Sequence, residues 1–208
     1  MLELKLENDL ASQGYRLIAG VDEVGRGPLA GPVVAACVVW DFSAPFEHGE
    51  LALVRDSKLL SAKQRQKLFG LIKERAAAVA IAAVNNRQID KINILQASLL
   101  AMRTSVDKLS VQPNFVLVDG KFAIPKLSLA QSAIVDGDAL IFSIAAASII
   151  AKVSRDYLMN QYDSRYPGYG FAAHKGYGTK LHLERLKALG PSPIHRLSFQ
   201  PLKNWREG

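Results

Sequence analysis

One cysteine, Cys37, is all the thiol the 208-residue chain possesses, and that scarcity excludes two kinds of protein. A single thiol forms no internal disulfide, so the fold is not a disulfide-stapled scaffold and a reducing compartment is expected. Nor does the chain show a Cys/His pattern of spacing suitable for zinc. Long hydrophobic runs are missing too. The longest nearly uncharged stretch, residues 139–151, is too short to cross a bilayer and reads as a core element. The N-terminal MLELKLENDL mixes acids with apolar residues and lacks the basic start and apolar centre of a signal peptide. A cytoplasmic protein with no membrane partner is therefore expected. There is no repeat, no low-complexity run and no clear linker.

What is present is ordinary globular material, with 49% hydrophobic and 22% charged residues. Cys37 lies inside an apolar run, where a small buried side chain is the expected role. Apolar runs at residues 17–21 and 33–40 read as two strands joined by a Gly/Pro-rich, hairpin-like turn. Ser61 is a good N-cap for a helix running to Arg75, and residues 76–84 form a third apolar stretch. Residues 90–109 space their apolar side chains as an amphipathic helix does. Short strands are expected at residues 115–118 and 129–135, and a helix with a small-residue face at residues 144–159. The tail then holds a Gly/Tyr/Pro-rich loop at residues 166–178, a helix at 179–189 and an extended, proline-rich end. Strands alternating with helices give an α/β domain over residues 1–165, with residues 166–208 as a helical, basic appendage packed on it.

Three apolar runs lead toward acids: Asp22-Glu23 after the first strand, Asp119 after residues 115–118, and Asp138 shortly after residues 134–135. In an open α/β sheet, neighbouring strand ends form the crevice where ligands bind. Acids arriving there together repel one another unless cations separate them, and oxygen-only ligation favours Mg²⁺ or Mn²⁺. Two such ions about 3.5–4 Å apart would activate water and stabilise a leaving oxygen. Asp22 and Asp119 carry the most weight as ligands, then Glu23, then Asp138, with Asp156 as a competitor for the fourth place and Asp136 as a loop acid. Because strand side chains alternate faces, Asp22 and Glu23 serve one metal pair only if the chain bends between them, and Val24-Gly25 supplies a bend.

Charge is uneven. From residue 171 onward Lys175, Lys180, Arg185, Lys187, Arg196, Lys203 and Arg206 stand against Glu184 and Glu207, leaving a net +5. A basic end facing an acidic site suits a nucleic-acid enzyme, although solvated surface charge explains it equally well.

Five segments then carry a resemblance. Residues 22–28 (DEVGRGP), 56–58 (DSK), 118–120 (VDG), 145–153 (AAASIIAKV) and 174–179 (HKGYGT) together resemble bacterial ribonuclease HII, in that family's order, over residues 17 to about 201. The resemblance implies an RNase H-like fold with a mixed five-stranded sheet flanked by helices and a small C-terminal helical region. It implies an endonuclease that hydrolyses RNA in RNA–DNA hybrids. It also implies incision 5′ of a single ribonucleotide in duplex DNA, leaving 3′-hydroxyl and 5′-phosphate ends. Asp22, Glu23, Asp119 and Asp138 match the family's metal-binding acids, Gly25, Arg26 and Gly27 its ribose-reading turn, and Tyr177 the ring that packs on the neighbouring sugar. Glycine lets backbone groups approach a 2′-hydroxyl closely, which is what distinguishes RNA from DNA at one position. Ser57, Lys58, Lys175 and Lys180 are candidate phosphate contacts. Ser148 fits helix packing or a substrate contact, and His174 and His182 fit phosphate contact or packing. One departure is Leu59, where many relatives carry a second polar or basic residue.

Two rivals remain at this point: a junction-resolving or DNA-only nuclease, which has no need of the ribose-reading turn, and a non-catalytic hybrid-binding module, which has no need of the acids. A monomer is the default expectation, and contact with a replication clamp is left open.

Overall fold

Helices cover both faces of the central sheet, so its inner strands are continuous apolar runs rather than alternating ones. The computed structural model describes residues 2–44, 46 and 48–204. After α1 (Lys5–Ser12) come β1 (Leu17–Val24), β2 (Val33–Asp41), α2 (Ala62–Arg75), β3 (Ala78–Val84), α3 (Asn86–Asp107), β4 (Phe115–Asp119) and β5 (Ala130–Ile134). They are followed by α4 (Gly137–Leu140), α5 (Phe142–Arg165), α6 (Phe171–His174) and α7 (Lys180–Leu189). The strands form one mixed sheet in the order β3-β2-β1-β4-β5. The β1–β2 and β2–β3 pairs are antiparallel; β1–β4 and β4–β5 are parallel.

On one face Ile18, Ala36, Val38, Trp40 and Leu117 pack against Leu68 and Ile72 of α2 and the apolar side of α5. On the other, Val21, Ala35, Cys37, Val116 and Val118 meet Ile89, Met102 and Val106 of α3. Burying each large aliphatic side chain contributes roughly 1.5–3 kcal/mol. The first turn of α5 lies directly on β1, because residue 20 is glycine. A Cβ there would stand 2.1 Å from the Ser143 carbonyl carbon.

Several element ends differ from their sequence expectation, each for a local reason. Helix α5 begins at Phe142 instead of residue 144, because buried Glu7 of α1 accepts hydrogen bonds from the Ser143 N–H and hydroxyl, both at 3.1 Å. Helix α3 begins four residues early, capped by Asn85, and kinks at Asn93, whose side chain caps the continuing helix at Gln96. Ser61 caps α2 as expected, in a reciprocal box with Gln64. Strand β1 continues through both acids to Val24, held by β2, whereas its pairing with β4 stops at Val21–Val118.

Past residue 166 the chain packs back on α5 and on the β1–β2 connection. Tyr169, Phe171 and Ile194 surround Met159 and Ala30, and Leu186 and Leu202 meet Leu29. Backbone bonds stitch the same segments together: Leu29 N–H to Gly176, Gly31 N–H to Ile194, and Arg196 N–H to Leu29. Arg206 and Glu207, counted above in the tail's charge, lie outside the described residues. Among the described residues no helix is long and apolar enough to cross a membrane.

Candidate active site

The acids meet where the parallel ladder ends. Ile18 and Leu117 face α5, so alternation puts Asp22 and Asp119 on that same face, one step beyond the last β1–β4 pair. Glu23 belongs to the opposite face. One carboxylate oxygen from each of the three nevertheless lies within 4.8 Å of the others. The expected bend between Asp22 and Glu23 is not what achieves this. Both pair regularly with β2, and the turn to positive φ comes afterward, at Gly25.

These carboxylates sit in an electrostatically poor place. Asp22 is raised well above the usual carboxylate range, first by burial and then by the charges of Glu23 and Asp119. Glu23 is pushed up to about 7 by burial, with Asp119 adding to the shift and Arg26 opposing it. Burial and the Asp138 charge raise Asp119 as well. Three buried, mutually repelling oxygens in reach of one another, with no zinc-type ligand among them, fit a hard divalent cation.

Asp138 shares the cleft but stands apart from that trio. It lies in the first turn of α4, its N–H donates to Asp119 Oδ1 at 3.3 Å, and its Oδ2 accepts from Lys58 Nζ at 3.0 Å. Lys58 is thus an ion-pair partner of the fourth acid, on a largely exposed side chain. Asp156 is elsewhere: it pairs with Lys152 at 2.8 Å and lines a separate cavity of about 600 Å³ between α2 and α5. The cleft itself is a cavity of about 310 Å³ whose walls include the four acids, Arg26, Lys58, Lys152 and Tyr177.

Ser57 and Ser148 are buried, with their hydroxyls 2.9 Å apart, and the Ser148 hydroxyl holds the Asp22 carboxylate down against the burial that raises it. Both line the cleft beside the acids. The Arg26 guanidinium lies on Glu23 at 3.1 Å. Tyr177 is 42% exposed, and a Cβ on Gly27 would stand 3.8 Å from its ring, so turn and ring are neighbours. Lys175 places its ammonium on the Asn160 side chain. Leu59 is exposed beside Lys58, and Lys180 is exposed on α7.

Sequence reasoning missed two buried guanidiniums. Arg155 of α5 donates to the carbonyls of Ala30, Pro32 and Lys175, and Arg196 to those of Gly25, Arg26 and Gly31. Both side chains are fully enclosed. Arg196 is therefore no part of a solvated basic tail, which corrects the charge reading; burial, then the like charge of Arg155, pulls it down to about 9. Arg155 falls on the stripe Ala147, Ala151, Arg155, Met159, buried throughout at a spacing of four, and that spacing was the available signal.

His174 and His182 are also enclosed, which removes phosphate contact for both. His174 stacks on His182, which in turn meets His195, and the tautomers of the last two follow from their partners. The Ser192 N–H donates to His195 Nδ1, so His195 Nε2 carries the proton toward His182 Nε2 at 3.0 Å. His182 Nδ1 then donates to the Tyr177 carbonyl at 2.9 Å.

A mixed five-stranded sheet with carboxylates gathered at the end of its parallel strands, and with helices on both faces, defines an RNase H-like nuclease. The fold matches the ribonuclease H2 of Pyrococcus horikoshii with a TM-score of 0.74 and 28% identity, covering 90% of this chain and 96% of that one. It matches the RNase HII of Archaeoglobus fulgidus, solved in complex with PCNA, at 0.73 and 25% identity, covering 92% and 97%. The family model described as ribonuclease HII matches residues 19–202. Ribonuclease HII of Geobacter sulfurreducens is 52% identical over 95% of this chain and 88% of its own length, and that of Listeria innocua 50% over 98% and 76%. The chain belongs to the ribonuclease HII family, and it is a type 2 ribonuclease H acting on RNA–DNA hybrids.

Proposed function

We propose that the enzyme also incises duplex DNA on the 5′ side of a single embedded ribonucleotide, leaving 3′-hydroxyl and 5′-phosphate ends. The observation that carries this reading is the adjacency of the buried acid trio to the Gly25–Gly27 turn and the open face of Tyr177. Asp22, Glu23 and Asp119, joined by Asp138 once Lys58 lets it go, would hold two Mg²⁺ or Mn²⁺ ions. Such ions, when bound, supply an acidified water and a counter-charge for the leaving oxygen.

The remaining tasks fall to the protein. The backbone of Gly25, Arg26 and Gly27 reads the 2′-hydroxyl, and the Tyr177 ring packs on the adjoining sugar. Lys58 transfers its ammonium from Asp138 to a substrate phosphate, and the exposed Lys180 holds the backbone further along. Ser57 and Ser148 keep Asp22 aimed into the cleft. Residues 166–208 act as an appendage that presents Tyr177 to the catalytic domain, and one chain suffices for the whole site.

Two duplexes of identical sequence, with and without one ribonucleotide, test the reading when incubated first with Mg²⁺ and then with chelator. The expected result is one cut, 5′ of the ribonucleotide, abolished by chelator. Equal cleavage of the all-DNA duplex would point instead to a DNA-only nuclease, and binding without any cut to a non-catalytic module.

A further inference from the structure

The Gly25–Gly27 turn is presented by a residue from the far end of the chain. Arg196 Nη2 donates to the Gly25 carbonyl at 2.6 Å and Nη1 to the Arg26 carbonyl at 2.8 Å, while Nε holds Gly31 at 3.0 Å. The peptide units of this turn are trans, so each carbonyl points opposite to the N–H of the following residue. Drawing the Gly25 and Arg26 carbonyls inward onto one guanidinium therefore turns the Arg26 and Gly27 N–H groups outward. Among the described residues neither N–H meets an acceptor. They are free donors on a turn that neighbours the Tyr177 ring, 3.8 Å from where a Cβ on Gly27 would stand.

We infer that Arg196 is a positioning residue for sugar discrimination: its planar fork fixes two adjacent carbonyls and thereby aims the N–H groups of Arg26 and Gly27 at the 2′-hydroxyl. Only a guanidinium presents two parallel donors in a rigid plane; an ammonium cannot hold both carbonyls in one orientation. The arrangement is locked from three sides. The Arg196 N–H itself bonds the Leu29 carbonyl, anchoring the residue to the same connection it clamps. Arg155 grips the neighbouring carbonyls of Ala30 and Pro32 and packs against Gly25 and the Tyr177 ring, but it hydrogen-bonds neither carbonyl of the reading turn. A Cβ at position 25 would lie 2.2 Å from Arg155 Nε, so the turn has no room to rotate away. The assignment rests on the turn being the ribose reader, as proposed above.

Protein carrying Asp119→Asn, which binds without cutting, is titrated with two duplexes that differ by one 2′-hydroxyl. Adding Arg196→Lys is expected to lower the ribonucleotide-to-DNA affinity ratio about tenfold, the equivalent of one or two misaimed hydrogen bonds. Affinity for the all-DNA duplex should stay unchanged. Ile72→Ala, a buried change in α2 away from the turn, is the control for lost stability alone, expected to lower the melting temperature and keep the ratio. Arg196→Gln, which removes a buried charge, is read in parallel as the variant that folds more easily. A folded Arg196 variant that kept the parental ratio, or lost both affinities in step, would overturn the inference, and failure of both variants to fold would count against it by making the residue structural alone. Amide exchange on unmodified protein separates this failure from a deeper one. If the ribonucleotide duplex does not protect the Arg26 and Gly27 amides, the reading turn itself falls; if it does and the ratio survives, only Arg196 falls.

Discussion

Two neighbouring regions bury ionisable groups and treat them in opposite ways. In the cleft, Asp22, Glu23 and Asp119 crowd together with Arg26 as their nearest cation, and their proton affinities rise. Behind the Gly25–Gly27 turn, two guanidiniums satisfy six backbone carbonyls, and His174, His182 and His195 find partners in one another or in nearby backbone. The second region is internally complete. The first is left with mutually repelling carboxylates that a bound cation would relieve, and on the proposed reading that difference separates a reaction centre from the frame that holds it.

The largest break in the comparison comes from Asp119→Asn, which takes one oxygen from the incomplete side. Turnover on a hybrid duplex should fall about 10³-fold or more, with duplex affinity kept; near-normal rates would show that the acids are misassigned. Arg155→Met attacks the complete side. Leaving three buried carbonyls without donors should cost about 3 kcal/mol or more, read by denaturant unfolding. Turnover at a temperature where the variant remains folded should suffer far less than in Asp119→Asn.

A milder probe is the cation itself. Mn²⁺ at a hundred times its dissociation constant should stabilise the folded protein by about 2.7 kcal/mol, read as a rise in melting temperature. Asp22→Asn should abolish that rise yet melt above the parent in chelator, since it removes a buried carboxylate repelled by Glu23, Asp119 and Asp138. The smallest effect belongs to the imidazoles. Burial holds His195 at about 4, below its unfolded value, so its contribution is complete above pH 6.5 and is lost as pH falls toward 4. Between pH 7 and pH 5 this amounts to about 2 kcal/mol, and a His195→Phe protein should show a correspondingly flatter pH dependence of unfolding.

Much of this division is written locally. Apolar runs leading to Asp22, Asp119 and near Asp138 marked where strands carry acids, and Ser61 marked the start of α2, because burial pattern and capping depend on residues close in sequence. The cleft's acids could therefore be named from the chain alone. The frame could not. Arg196 sits among prolines and polar residues and reads as one more basic tail residue, because its partners are carbonyls some 165–171 positions away that any sequence supplies. Likewise the histidines' roles depend on Ser192 and the Tyr177 backbone, which no spacing rule links to them. The length of β1 was hidden for a related reason: only the register with β2 shows that the strand runs on through charged residues.

Cys37 gives the protein a practical property. It is the chain's one cysteine, wholly enclosed in the middle of β2, and burial drives its ionisation far above neutral pH. Maleimide reagents should therefore ignore the native molecule. A cysteine engineered at an exposed site such as Leu59 would take a fluorophore or spin label alone, with no background to mutate away.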